Sequence, residues 1–288
     1  MSIQVKPFFH QASATISYII YDDVNKVAAV IDTAYDFDIH TGQINTQFVD
    51  EQIAFIREHN LALLWILETH AHADHLTGAA YLQKQLGGKI GIGEGIKWVQ
   101  SVFKQKFNIP DHELLADGQV FDVLLQDANT FMLGDYAFTV MATPGHTNDS
   151  VTYLIENHAF VGDTLFLPDV GSARCDFPGG STVELFNSVN KIHQLPDNTI
   201  LWMCHDYPAT NRPINFSTTV KMSKQHNIHL ATNQSLEKFI QLRTDRDKHL
   251  SAPKLLYPAI QINIRAGQLP KPHVNGQIYI NLPLNIKE

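Results

Sequence analysis

Residues 70–75 read His-Ala-His-Ala-Asp-His, directly after the apolar run from Ala62. Three imidazoles and a carboxylate within six residues are the donor types that take zinc, iron and related ions. Such a cluster is costly to bury unless a cation collects it. Three further candidates stand apart downstream: His146 in Thr-Pro-Gly-His-Thr, Asp163 in Phe-Val-Gly-Asp-Thr, and His205 in Met-Cys-His-Asp-Tyr. Each follows a short apolar stretch that reads as a strand, so strand ends must carry these donors to one place. The expected chemistry is metal binding. For most of the other histidines, such as His10, His112 and His273, an ordinary packed or solvated role is expected.

The spacing accommodates two ligand sets. In one, a first metal takes His70, His72 and His146, a second takes Asp74, His75 and His205, and Asp163 bridges them. That is a binuclear hydrolase, with a metal-activated water as nucleophile. In the other, one Fe(II) takes His70, His146 and Asp163, a facial triad with open positions for substrate and dioxygen. Spacing alone does not choose between them.

The elements around the cluster read as follows. Ala14–Tyr21 and Lys26–Asp32 look like strands joined by a turn at Asp22-Asp23. Residues 46–59 have helical spacing. The run from Ala62 to Glu68 is apolar enough for a strand covered on both faces. A helix is expected from about His75 to Leu86, ended by Gly87-Gly88, and another over 94–106. From 119 to 162 the pattern is short strands with turns. A helix over Val183–Leu195 follows, capped by Ser181 or Thr182, and then a strand over Thr199–Cys204. A strand-rich unit with helices therefore occurs twice, which predicts two sheets face to face with helices outside. Asp32, at a strand end, is expected to bond backbone near the cluster. Cys204 precedes His205 on a strand, and its side chain is expected to face away from it, into the core.

The chain has 288 residues, 44% hydrophobic and 17% charged, as in a globular protein with a substantial core. It has no apolar run long enough to span a membrane. The N-terminus lacks the pattern of an export signal, and two cysteines make no disulfide framework, so a cytoplasmic setting is expected. The net charge of −8 argues against a nucleic-acid partner. That charge is uneven. Residues 1–211 carry 10 Lys/Arg against 25 Asp/Glu, and residues 212–288 carry 11 against 4. The basic tail could meet the acidic body or supply cations for an anionic substrate, and it could form a homodimer interface. It has helical stretches near 217–225 and 235–246, and prolines from Pro253 onward exclude a long helix. The division expected is a catalytic domain over 1–207 and a C-terminal cap over 208–288, packed on the same domain.

The ordered set His70, His72, Asp74, His75, His146, Asp163 and His205 resembles the metallo-β-lactamase superfamily, whose fold is an α/β sandwich of αββα type. Within it, Gly171-Ser-Ala-Arg174-Cys-Asp176-Phe177-Pro-Gly-Gly180, His205-Asp206-Tyr207 and Asn263-Ile-Arg265-Ala-Gly267 are similar to motifs of the persulfide dioxygenases, closest to a bacterial branch. Cys175 stands where many members have Thr. The resemblance implies oxidation of glutathione persulfide by O2 to sulfite and glutathione, with one Fe(II) per chain. By position, it implies His70, His146 and Asp163 as iron ligands. His72, Asp74, His75 and His205 would line the site or hold a second metal. Arg174 and Tyr207 would be catalytic, and together with Arg265 would hold the substrate. The alternative is a glyoxalase II-like thioester hydrolase with two Zn.

Overall fold

The computed structural model describes residues 2–208 and 212–284. The first half runs β1 (Gln4–His10), β2 (Thr15–Asp22), β3 (Val27–Ile31), β4 (Ala34–Asp38), β5 (Gln43–Asn45), α1 (Gln47–Glu58), β6 (Ala62–Leu67), β7 (Leu76–Thr77), α2 (Ala79–Leu86), β8 (Lys89–Gly93), α3 (Ile96–Lys106) and β9 (Val123–Leu125). The second runs β10 (Thr130–Leu133), β11 (Tyr136–Ala142), β12 (Val151–Ile155), β13 (His158–Phe160), α4 (Thr182–His193), β14 (Ile200–Trp202), β15 (Ser217–Thr219), α5 (Val220–His226), α6 (Leu236–Asp247) and α7 (Leu256–Asn263).

Two six-stranded sheets result, ordered β1-β2-β3-β6-β8-β9 and β10-β11-β12-β13-β14-β15. The period-2 alternation of β2 shows how they meet. Ile16, Tyr18 and Ile20 face the layer between the sheets, where they join Phe138, Val140, Tyr153 and Phe160 of the second sheet. Ile19 faces the opposite way, into a core shared with α1, α2, α3 and α7. The second sheet is covered on its outer face by α4, whose Leu185, Val189 and Ile192 are fully buried. Each such side chain contributes about 1.5–3 kcal/mol by leaving water. This is the mixed α/β sandwich expected of the metallo-β-lactamase type. Among the described residues, no helix is long and apolar enough to cross a membrane.

Three local expectations are corrected. The helix expected from His75 begins at Ala79, because Leu76 and Thr77 instead pair with Tyr35 and Ala34 of β4. Tertiary bonds hold that stretch extended: Thr77 Oγ1 donates to Glu68 and Thr77 N–H donates to Asn263. A helix not expected, α7, occupies Leu256–Asn263 despite Pro258. The proline sits in the first turn, where its missing N–H has no helical partner to lose. Cys204 does not face away from the donor cluster. Its Sγ lies 3.6 Å from Asp32 Oδ2, and its sulfur falls within 4.8 Å of donor atoms of Asp163 and His205.

The C-terminal segment is built into both layers. β15 extends the second sheet beside β14, and Ala259, Ile260 and Ile262 of α7 are buried in the core of the first.

Candidate metal centre

Four strand ends deliver the donors to one edge of the sandwich. The loop after β6 carries residues 68–75, the loop after β11 carries His146, the turn after β13 carries Asp163, and the loop after β14 carries His205. The approach to His146 requires glycine. Gly145 has φ +138°, and a Cβ there would lie 2.2 Å from the Leu185 nitrogen of α4.

The donors are held from behind and left open in front. His70 Nδ1 bonds Thr69 Oγ1 at 3.0 Å, and its Nε2 is buried with no partner. His146 Nδ1 donates to the Arg174 carbonyl at 2.8 Å. Asp163 Oδ2 lies 4.0 Å from His70 Nε2 and 3.7 Å from His146 Nε2. Donor atoms of His70, His146 and Asp163 all fall within 4.8 Å of one another. Burial, joined by the neighbouring His72 and His146, holds His70 well below the usual imidazole range. It is therefore neutral and ready to donate a lone pair.

His72 turns its Nε2 the other way. It lies 3.0 Å from Asp32 Oδ1 and 3.4 Å from Glu68 Oε2, while its Nδ1 has no partner. Burial opposes a charge on this ring, but Asp32 and Glu68 outweigh it and raise His72 well above the usual range. Asp32 is lowered by the same contact against its own burial. Its backbone is left-handed at φ +53°, and its carboxylate also accepts from Thr69 N–H at 2.7 Å and from Thr69 Oγ1 at 2.9 Å. A carboxylate behind an imidazole fixes the ring and leaves the far nitrogen for a cation.

Asp74, His75 and His205 lie on the other side of Asp163. His205 Nε2 is 3.6 Å from Asp74 Oδ2 and 3.4 Å from Asp163 Oδ1, and His205 Nδ1 bonds the Ala14 carbonyl at 3.2 Å. His75 uses Nδ1 toward Thr15 Oγ1 and Asp74 Oδ2 at 3.1 and 3.3 Å, and its Nε2 is unpartnered. Burial drives His75 down to about 4. Burial pushes Asp74 up, yet His205 and His75 prevail and hold it well below the usual carboxylate range. Among the described residues, Asp74, His75 and His205 do not bring three donors within 4.8 Å, whereas His72, Asp74 and His75 do. Orphaned atoms on His70, His72, His75, Asp163 and His205, all buried, fit a resident cation.

A cavity of about 550 Å³ opens onto Asp74, His146, Asp163 and His205. Phe166, Phe177 and Tyr207 supply apolar wall, and Arg174, Arg243, Arg246 and Lys254 supply cations. Tyr207 stacks on His205 with centroids 5.5 Å apart. Burial, with Asp163 and Asp74 nearby, raises its phenol further, so it stays protonated. Arg174 bonds both oxygens of Asp176 at 2.6 Å and the Ser251 carbonyl at 2.7 Å, with its guanidinium 5.1 Å from the Phe177 ring centroid. Arg265 is elsewhere. It is buried, donates to the Gln261 carbonyl at 2.7 Å, reaches Glu113 at 3.3 Å and does not line the cavity.

Sequence reasoning missed several supports. Asp149 accepts from Ala71 N–H at 2.8 Å and so holds the histidine loop from below. Asn263 donates from Nδ2 to the carbonyls of His72 and His75, both at 2.8 Å. Asp149 left no distinctive signal in the sequence. Asn263 stands in a recognised motif whose arginine drew the functional expectation instead.

A model of the metallo-beta-lactamase superfamily matches residues 13–205, and the chain belongs to that superfamily. It is 45% identical over 284 residues to "Glyoxylase B2" of Dictyostelium discoideum, covering 98% of this chain and 97% of that one. It is 28% identical to the mitochondrial persulfide dioxygenase ETHE1 of Homo sapiens, covering 92% of this chain and 89% of the other. The crystal structure of ETHE1 from Myxococcus xanthus superposes with a TM-score of 0.73 at 27% identity, covering 92% of this chain and all of that one.

Proposed function

We propose that the protein is a mononuclear Fe(II) persulfide dioxygenase, oxidising glutathione persulfide with O2 and water to glutathione and sulfite. The observation that carries this is the compact triple of His70, His146 and Asp163, bordered by the Arg174–Phe177 segment whose carbonyl fixes His146. Two imidazoles and one carboxylate on one face match an iron site with open positions. Iron held there supplies coordination for both the persulfide sulfur and O2. The chain's own residues do the rest. Tyr207, Phe166 and Phe177 narrow the space above the triple and limit water, and the cations of the wall hold the anionic end of the substrate, so that the sulfur is presented rather than encountered at random. His72, backed by Asp32 and Glu68, keeps the loop carrying His70 in register.

A second reading is a binuclear zinc thioester hydrolase of glyoxalase II type. It is favoured by the open Nε2 atoms of His75 and His205 beside Asp74, and by the name of the Dictyostelium relative. Metal analysis of anaerobically purified protein, with oxygen-electrode traces on glutathione persulfide, separates the two. About one iron per chain with oxygen uptake is expected. Two zinc per chain, no oxygen uptake and hydrolysis of lactoylglutathione would overturn the dioxygenase reading.

A further inference from the structure

Four cations line the cavity, and their pairing differs. Arg174 is committed to Asp176 and to the Ser251 carbonyl. Arg243 is buried, ion-paired with Asp247 and bonded to the Ser172 carbonyl at 3.2 Å. Arg246 and Lys254 have no side-chain hydrogen bond or ion pair to any described residue, yet both line the same cavity and both are exposed to solvent. They flank the turn 248–253, which contributes Leu250, Ser251 and Pro253 to the wall. The other acidic side chains of that wall, Asp74 and Asp163, belong to the donor cluster.

From this asymmetry we infer that Arg246 and Lys254 determine specificity, selecting substrates whose anchoring end carries two carboxylates. The inference rests on the cavity being the substrate site, but not on the choice between persulfide and thioester. A paired guanidinium has already spent its fork on a protein carboxylate, while an unpaired one can offer two parallel hydrogen bonds to a ligand. Lys254 adds a second, mobile point charge at the same rim. Two free cations beside an apolar wall match a ligand with two carboxylates and a short thiol-bearing chain between them. Neither residue touches the donor cluster, so their effect falls on binding and not on the chemical step. Both come from the basic tail, which gives the uneven charge of the sequence a definite use.

The test is calorimetric binding of S-methylglutathione, which cannot react, and of its dimethyl ester, to the metal-loaded full-length protein. Wild type should bind the diacid at least tenfold more tightly than the diester. Arg246→Ala and Lys254→Ala should each weaken the diacid about five- to tenfold and leave the diester unchanged. Arg246→Lys should recover part of the loss. In turnover, the variants should raise KM and leave kcat within twofold. Equal binding of diacid and diester by wild type, or a double variant that binds the diacid as wild type does, overturns the inference. Failure of the dioxygenase reading looks different: there is no oxygen uptake, while the diacid preference and its loss in the variants remain.

Discussion

Asn263 is a sharp place to test the reasoning about the metal loop. It is nearly fully buried, and its amide makes three bonds to the loop, two from Nδ2 to the His72 and His75 carbonyls and one from Thr77 N–H to Oδ1, each 2.8 Å. Asn263→Ala leaves three buried backbone groups without partners at about 1–3 kcal/mol each, a simple sum of about 3–9 kcal/mol. Water entering the small hole recovers part of this, so a loss of about 3–5 kcal/mol is expected, a large fraction of a whole domain's stability. Asn263→Asp keeps the acceptor for Thr77 but faces two carbonyl oxygens with a carboxylate, so it should be at least as damaging. Because the two carbonyls belong to donor residues, metal affinity should fall about 10–100-fold, as for other groups that orient ligands. Urea unfolding of metal-free protein measures the first effect, and Co(II) titration followed by its visible bands measures the second. If both variants unfold within about 0.5 kcal/mol of wild type and bind Co(II) equally well, the amide does not organise the loop.

Other outcomes follow from the same structure. His70→Ala, His146→Ala and Asp163→Ala should each abolish iron retention and oxygen uptake while preserving the circular-dichroism spectrum; full activity in any of them sinks the ligand assignment. Chelation should remove activity, and Fe(II) should restore it under anaerobic loading where Zn(II) does not. Gly145→Ala, which would press a methyl group onto the backbone of α4, should give insoluble protein or one that unfolds far earlier in urea; a well-folded variant would show that the turn can relax. His193 and His229, away from the donors, are each held down to about 4 by burial, with Lys224 acting on the first and Arg246 on the second. In the unfolded chain they titrate near the ordinary imidazole value, so the unfolded state binds protons that the folded state does not. Their contribution is complete above about pH 6.5 and is lost as pH falls toward 4, by up to about 3 kcal/mol each. Urea midpoints between pH 7.5 and 4.5 should show this slope, and it should flatten in His193→Gln; an unchanged slope refutes the account.

The histidine cluster, the isolated His146, Asp163 and His205, and the strand endings before them were legible in the sequence because donor chemistry and strand alternation are local properties. For the same reason the paired strand-rich units announced a sandwich. Where the chain's neighbours decide the outcome, the sequence was silent or misleading. Leu76 and Thr77 carry no strand signal of their own and become a strand only because β4, Glu68 and Asn263 claim their polar groups. Cys204 should by alternation face away from His205, but regular pairing in β14 stops at Trp202, and the chain beyond it turns the sulfur toward Asp32. Charge bookkeeping revealed a basic tail, but not which of its cations are free. That depends on Asp176 lying against Arg174 and Asp247 against Arg243, contacts that exist only once the tail has folded onto the body. The residue types and their order thus set what the site is made of, and tertiary packing set which donors converge, which are held from behind and which charges remain to meet a substrate.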